Sequence, residues 1–179
     1  ERQSGVQLTW PHCDTEWYEL EKVLECYVDI ASNILKYEPL MIVTRDIDEC
    51  KADIARITER KGIVLDVDSI RFYESPLNDT WARDHGGISV FGDGGQKYLY
   101  DFVFNGWGLK FASDLDNQLT KNIFSQGAFE DDVMGVDMRP YVLEGGSIDS
   151  DGCGTMLTTT ECLCSLNRNE YLSQEEIEE

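Results

Sequence analysis

The spacing of apolar residues switches repeatedly between a period of two and a period near 3.6, and few architectures accommodate such a chain. Val6, Leu8 and Trp10 alternate, as in a strand with one buried face. Trp17, Leu20, Leu24, Tyr27, Ile30 and Ile34 then recur every three or four residues, which predicts a helix with Asp14 as its N-cap. The short run Leu40-Met41-Ile42-Val43, behind Pro39, suits a strand buried on both faces. A second helix is expected with Ile47, Ile54 and Ile57 inward and Gly62 as its terminator. Ile63-Val64-Leu65 and Ile70-Arg71-Phe72-Tyr73 read as extended. After a polar loop from Asn78 to Gly87, Ile88 to Phe91 and Tyr98 to Phe104 flank Gly92-Asp93-Gly94-Gly95, a hairpin signal. Leu115, Leu119 and Ile123 mark a third helix ending near Gly127. Pro140-Tyr141-Val142-Leu143 leads into a further strand, and Asp151-Gly152 turns a second hairpin toward Met156 and Leu157. Strands and helices alternate throughout, so the expected class is α/β.

Composition narrows the function. The chain has 15 Lys and Arg against 35 Asp and Glu, a net charge of -20, and the cations are scattered from Arg2 to Arg168. Phosphate binding needs clustered cations, so nucleic acid is excluded as a general partner. A hydrophobic fraction of 41% excludes a disordered acidic tail. No apolar run approaches the ~20 residues of a membrane span and no leader opens the chain, so a soluble, cytoplasmic protein is expected. The spacing of Cys13, Cys26, Cys50, Cys153, Cys162 and Cys164 matches no zinc template, and reduced, mostly buried thiols are the expectation. Length allows one domain or two small ones. The chain opens on Glu1, not Met, and ends just after Ser173, a plausible N-cap followed by acids. That pattern suggests either a helix interrupted in a longer protein or an acidic tail.

Asp84-His85-Gly86-Gly87-Ile88 and Glu144-Gly145-Gly146-Ser147-Ile148 each put a carboxylate beside two glycines ahead of a hairpin, an echo that suggests repeated modules. In the first block, Trp81 and Asp84 offer an aromatic face and a carboxylate, a combination suited to a planar cation. The other reading is a structural loop in which Arg83 neutralises Asp79 or Asp84 and Trp81 fills core. In the second, Glu144 follows the apolar Val142-Leu143, where burial of a carboxylate is costly unless it is bonded. Alternatively it caps a turn and faces water. His12 and His85 are either bases or packed residues. Cys162 and Cys164, in what reads as a threonine-rich strand end, have no evident base and are taken as structural.

Taken in order, Leu8-Thr9-Trp10-Pro11-His12, Asp79-Thr80-Trp81-Ala82-Arg83-Asp84, Phe104-Asn105-Gly106-Trp107-Gly108 and Leu143-Glu144-Gly145-Gly146-Ser147-Ile148 resemble the agmatine deiminase and bacterial peptidylarginine deiminase family. So do Leu157-Thr158-Thr159, Glu161-Cys162-Leu163 and Asn167-Arg168-Asn169. The resemblance covers nearly the whole chain. It implies a pentein-type pseudo-fivefold α/β propeller of which residues 1–179 supply about the first half, with approximate modules 1–110 and 111–179 and the C-terminal half absent. It implies hydrolytic deimination of a cationic guanidinium substrate by a cysteine thiolate: agmatine to N-carbamoylputrescine and ammonia, a step of polyamine metabolism. The alternatives are a peptidylarginine deiminase or a non-catalytic module. By the resemblance, Asp84 holds the guanidinium, Trp81 lines the pocket and Glu144 supports a catalytic histidine. That histidine, a second substrate-binding Asp and the nucleophilic Cys lie beyond residue 179, so this chain alone is expected to be inactive. No metal and no cofactor are implied, and homo-oligomerisation is compatible. His85 stands where relatives carry other residues and is not assigned as the base.

Overall fold

The computed structural model describes residues 3–178. Glu1, Arg2 and Glu179, which enter the reading of the charge distribution and of the two ends, lie outside the described residues. The chain divides into two compact units, Glu1–Ala82 and Arg83–Glu179. A cut at 110/111, the approximate module boundary expected from the sequence, would separate two strands that pair in the second unit.

In the first unit, β1 (Val6–Thr9), β2 (Leu40–Thr44) and β3 (Ile70–Glu74) form a parallel sheet in that order, with Leu8, Ile42 and Phe72 side by side. Parallel neighbours need long crossovers, and α1 (Leu20–Ile34) and α2 (Ile47–Lys61) supply them. Leu24, Val28 and Ala31 of α1, with Cys50, Ile54 and Ile57 of α2, bury one face of each helix against Trp10, Leu40, Ile42 and Ile70. The Asp46 carboxylate accepts the Glu49 N–H to begin α2, and Gly62 ends it at φ +65°.

Two expectations are corrected here. α1 begins at Leu20, and its N-cap, Glu19, makes no side-chain cap. Asp14 accepts from Arg45 Nη1 at 2.6 Å instead, and its own N–H donates to His12 Nδ1, so the approach stays in turns and Trp17 lies outside the helix. Residues 63–65 form no strand. The Ile63 N–H closes α2 by donating to the Thr58 carbonyl, and Val64 is 98% exposed while Ile63 and Leu65 pack against the core.

The second unit starts within α3 (Ala82–His85), a single turn in what reads from sequence as loop. The expected hairpin is present as β4 (Ile88–Phe91) and β5 (Lys97–Val103), and β6 (Val133–Val142) adds to β5 in parallel. The crossover runs through α4 (Gly106–Leu109), a 3-10 turn at Asp116–Gln118 and α5 (Leu119–Ser125), whose Leu119 and Ile123 are fully buried. β6 begins at Val133, well before Pro140. β7 (Asp149–Ser150) and β8 (Met156–Leu157) form the second hairpin, its turn fixed by the Asp151 carboxylate accepting from the N–H groups of Cys153 and Thr155. Cys162 and Cys164 belong to α6 (Thr160–Cys164), capped by Thr159, and not to a strand end. In α7 (Gln174–Glu178), Ser173 and Glu176 exchange hydrogen bonds as a capping box.

The six thiols are free. Cys50 is buried, but Cys13, Cys26 and Cys153 are exposed and Cys162 and Cys164 half-buried, which corrects the expectation of mostly buried thiols. Among the described residues, no helix is long and apolar enough to cross a membrane.

Candidate active site

Asp84 and Glu144, sixty residues apart in sequence, are brought together in the second unit by the two glycines that follow Glu144. A Cβ on Gly145 would overlap the Arg83 carbonyl oxygen, and one on Gly146 would overlap Asp84 Oδ1. Only glycines let the two chain segments approach this closely. The contact is used: the Gly146 N–H donates to Asp84 Oδ1 at 3.1 Å.

A second donor reaches Asp84 from α4. Gly106, Trp107, Gly108 and Leu109 have φ of +66°, +58°, +80° and +63°, so this turn winds left-handed. Two of the four are not glycine, and L-residues there cost roughly 1–2 kcal/mol each. Asn105 holds the turn by accepting the Gly108 N–H at 2.9 Å, and the Trp107 ring packs edge-on against Phe104 and Phe111. Held this way, the Trp107 side chain donates to the Asp84 carboxylate. Burial raises the pKa of Asp84, and the Gly146 N–H, the Trp107 indole and the charge of Arg83 oppose that rise. A half-buried carboxylate with two donors keeps acceptor capacity for a further one.

Glu144 is buried, 2% exposed, which rules out the reading in which it faces water. Both its oxygens accept from Arg168 Nε, at 2.9 and 3.1 Å. Arg83 donates to the Ile148 carbonyl at 3.0 Å, and its charge acts on Asp84. His85, beside Asp84 in sequence, turns its ring into the core near Phe104. Neither ring nitrogen has a partner among the described residues, and burial lowers its pKa to about 4. A neutral, enclosed imidazole is not placed to act as a base.

Trp81 belongs to the first unit. It is 41% exposed and does not fill core. Its ring stacks on Trp17, with centroids 5.8 Å apart and planes at 30°, while its Nε1 donates to Asp79 Oδ2 at 3.0 Å. The Trp17 indole donates to Thr80 Oγ1. His12 accepts from the Asp14 N–H through Nδ1 and faces Arg45, so burial and that cation lower its pKa. Among the described residues no group of three or more His, Cys, Asp or Glu could hold a metal ion.

Two residues in this arrangement received no role from sequence, Trp107 and Arg168. The glycines on either side of Trp107 were the available signal for the first, because they mark a backbone conformation that most residues avoid. Nothing in the spacing signalled that Arg168 would reach Glu144.

Two acids that meet through a Gly-Gly approach on an α/β scaffold agree with the resemblance carried by the sequence blocks. The family of Porphyromonas-type peptidyl-arginine deiminases matches over residues 1–179, and the chain belongs to that family. Agmatine deiminase from Pseudomonas savastanoi pv. phaseolicola is 35% identical over 182 residues, covering 98% of this chain and 46% of its own length. A C. jejuni agmatine deiminase structure with substrate bound superposes with a TM-score of 0.77 at 32% identity, covering 96% of this chain and 47% of that one. A Porphyromonas gingivalis structure to which arginine deiminase activity is attributed gives a TM-score of 0.80 at 42% identity, covering 96% and 48%. The chain therefore spans about half the length of the relatives it matches.

Proposed function

We propose that the whole protein hydrolyses a cationic guanidinium compound to a ureido product and ammonia, and that agmatine is the substrate. In this reading Asp84 holds the guanidinium by paired N–H···O bonds, Trp81 lines the pocket and Glu144 orients a histidine supplied from outside this chain. A cysteine thiolate, also outside it, adds to the guanidinium carbon. Ammonia leaves, water adds, and the C–S bond breaks to release the ureido product. The protein is then a five-module propeller in a cytoplasmic setting.

The observation that carries the reading is the Asp84 carboxylate, half-buried and held by the Gly146 N–H and the Trp107 indole. The names of the agmatine deiminase relatives support the substrate. A second reading, in which the substrate is peptidyl arginine, draws on the family description and on the 36% identity to a structure described as a peptidyl-arginine deiminase.

Steady-state kinetics of the full-length protein test the assignment. Asp84→Asn keeps the shape and removes the charge, so kcat/KM on agmatine should fall by ~100-fold or more, because the same contact binds the substrate and fixes its approach. Turnover within about threefold of wild type, under ~0.7 kcal/mol, would make Asp84 a structural residue. Peptidyl arginine as the faster substrate would select the second reading.

A further inference from the structure

The ion pair at Glu144 has a purpose-built mount. Arg168 sits between two asparagines whose side chains fix the backbone on either side of it. Asn169 Oδ1 accepts the Val142 N–H at 2.9 Å, and its Nδ2 donates to the carbonyls of Val142 at 3.0 Å and Leu163 at 2.9 Å. The side chain thus copies a strand neighbour and ties position 169 to the end of β6, two residues before Glu144. Asn167 is tied to the left-handed turn: its carbonyl accepts from Asn105 Nδ2 at 2.6 Å, and its Nδ2 donates to the Gly108 carbonyl at 3.2 Å. Between these ties the guanidinium has little freedom. Nη1 donates to Ser165 Oγ at 3.0 Å, and Gly108 closes over it, since a Cβ there would stand 3.3 Å from Nη1.

This geometry does more than neutralise a buried charge. The Arg168 side chain is 12% exposed and that of Glu144 2%. One N–H shared by both carboxylate oxygens fixes the plane of the carboxylate and still leaves each oxygen a lone pair for another donor. The turn that rests on Arg168 is also the one whose Trp107 holds Asp84.

We propose that Arg168 is a positioning residue of the deimination reaction, setting the orientation in which Glu144 meets its catalytic partner. The proposal rests on the reading of Glu144 given above. The contact lies on the Glu144 side and not at Asp84, the carboxylate that holds the guanidinium, so its loss should act on kcat and spare KM.

The full-length protein with agmatine provides the test. Arg168→Met, which keeps length and removes the charge and the N–H, should lower kcat by ~30-fold or more with KM within about twofold. Arg168→Lys, which restores the cation but not the Nε contact, should recover part of that loss. Glu144→Gln should lower kcat alone, and adding Arg168→Met to it should lower kcat by less than about twofold further, because the arginine would act only through that carboxylate. Where Arg168→Met does not fold, a folded Arg168→Lys should still show kcat reduced by about threefold or more at unchanged KM. Wild-type kcat in either folded variant overturns the proposal, as does full additivity with Glu144→Gln. An unchanged kcat in Glu144→Gln itself would instead sink the reading of Glu144, and with it the basis for a role of Arg168.

Discussion

Gly146 lacks a side chain because Asp84 occupies the space that one would need. Gly146→Ala should therefore displace the carboxylate while leaving the amide in place. The expected outcome in the full-length protein is a fall in kcat/KM on agmatine of about tenfold or more, from misplacement of a group fixed to within an ångström. Kinetics beside a thermal melt would check that the loss exceeds any loss of folded protein. The raised pKa of Asp84 also sets a direction in pH. Where chemistry is slower than substrate release, KM should fall as pH rises through the upper carboxylate range, because protons and the guanidinium compete for the same group, and Asp84→Asn should flatten that dependence. Asp84 and Glu144 could be picked out in the sequence as acids beside paired glycines. Their partners could not: a main-chain N–H leaves no trace in residue identity, and the reach of Arg168 depends on how two asparagines seat the backbone around it.

At the scale of elements, the C-terminal end of α2 was readable because its signal is local. Asp46 satisfies an orphan N–H within the first turn, and Gly62 adopts the left-handed conformation just past the last. Asp46→Ala should cost about 1 kcal/mol in chemical denaturation. Gly62→Ala should cost ~1–2 kcal/mol from backbone strain alone, since no atom lies near the added methyl. A urea series with unchanged slope would measure both. α1 shows the limit of the same logic: Asp14 has a cap residue's chemistry, but Arg45, distant in sequence, takes its carboxylate. The left-handed turn of α4 shows another, because Trp107 and Leu109 adopt a conformation their own preferences oppose. The surrounding contacts, with Asn105 below and Phe104 and Phe111 alongside, decide it.

For the whole molecule, the net charge of -20 is self-repulsive, but a buried and a half-buried group of the second unit shape its response to acid. His85 has a folded pKa of about 4 against an ordinary 6.5, so the folded state binds fewer protons than the unfolded one between those values. Its contribution to stability is lost as pH falls from about 6.5 to about 4. Asp101, raised to about 6 from 3.8 by burial and then by Asp137, has the opposite sign: it destabilises at neutral pH and ceases to do so as pH falls through that window. Asp101→Asn should accordingly raise the melting temperature at pH 7 and have little effect near pH 4, whereas His85→Leu should remove the loss on acidification. Melts across pH 4 to 7 would separate them, and equal shifts at both ends would refute the assignment to titration.

What the sequence determined by itself is the alternation of strands and helices, the two hairpin turns, the Gly62 end of α2, the family and two of the acids. Each depends on periodicity or on contacts between residues close along the chain, and such signals survive in one dimension. Only the tertiary structure decided that the echo of carboxylate and Gly-Gly is a contact, with the second block donating to the acid of the first. It alone gave Glu144 to Arg168, turned His85 inward and aimed Trp107 at Asp84. Those are pairings across tens of residues, set by which buried polar groups find partners once the backbone has closed around them.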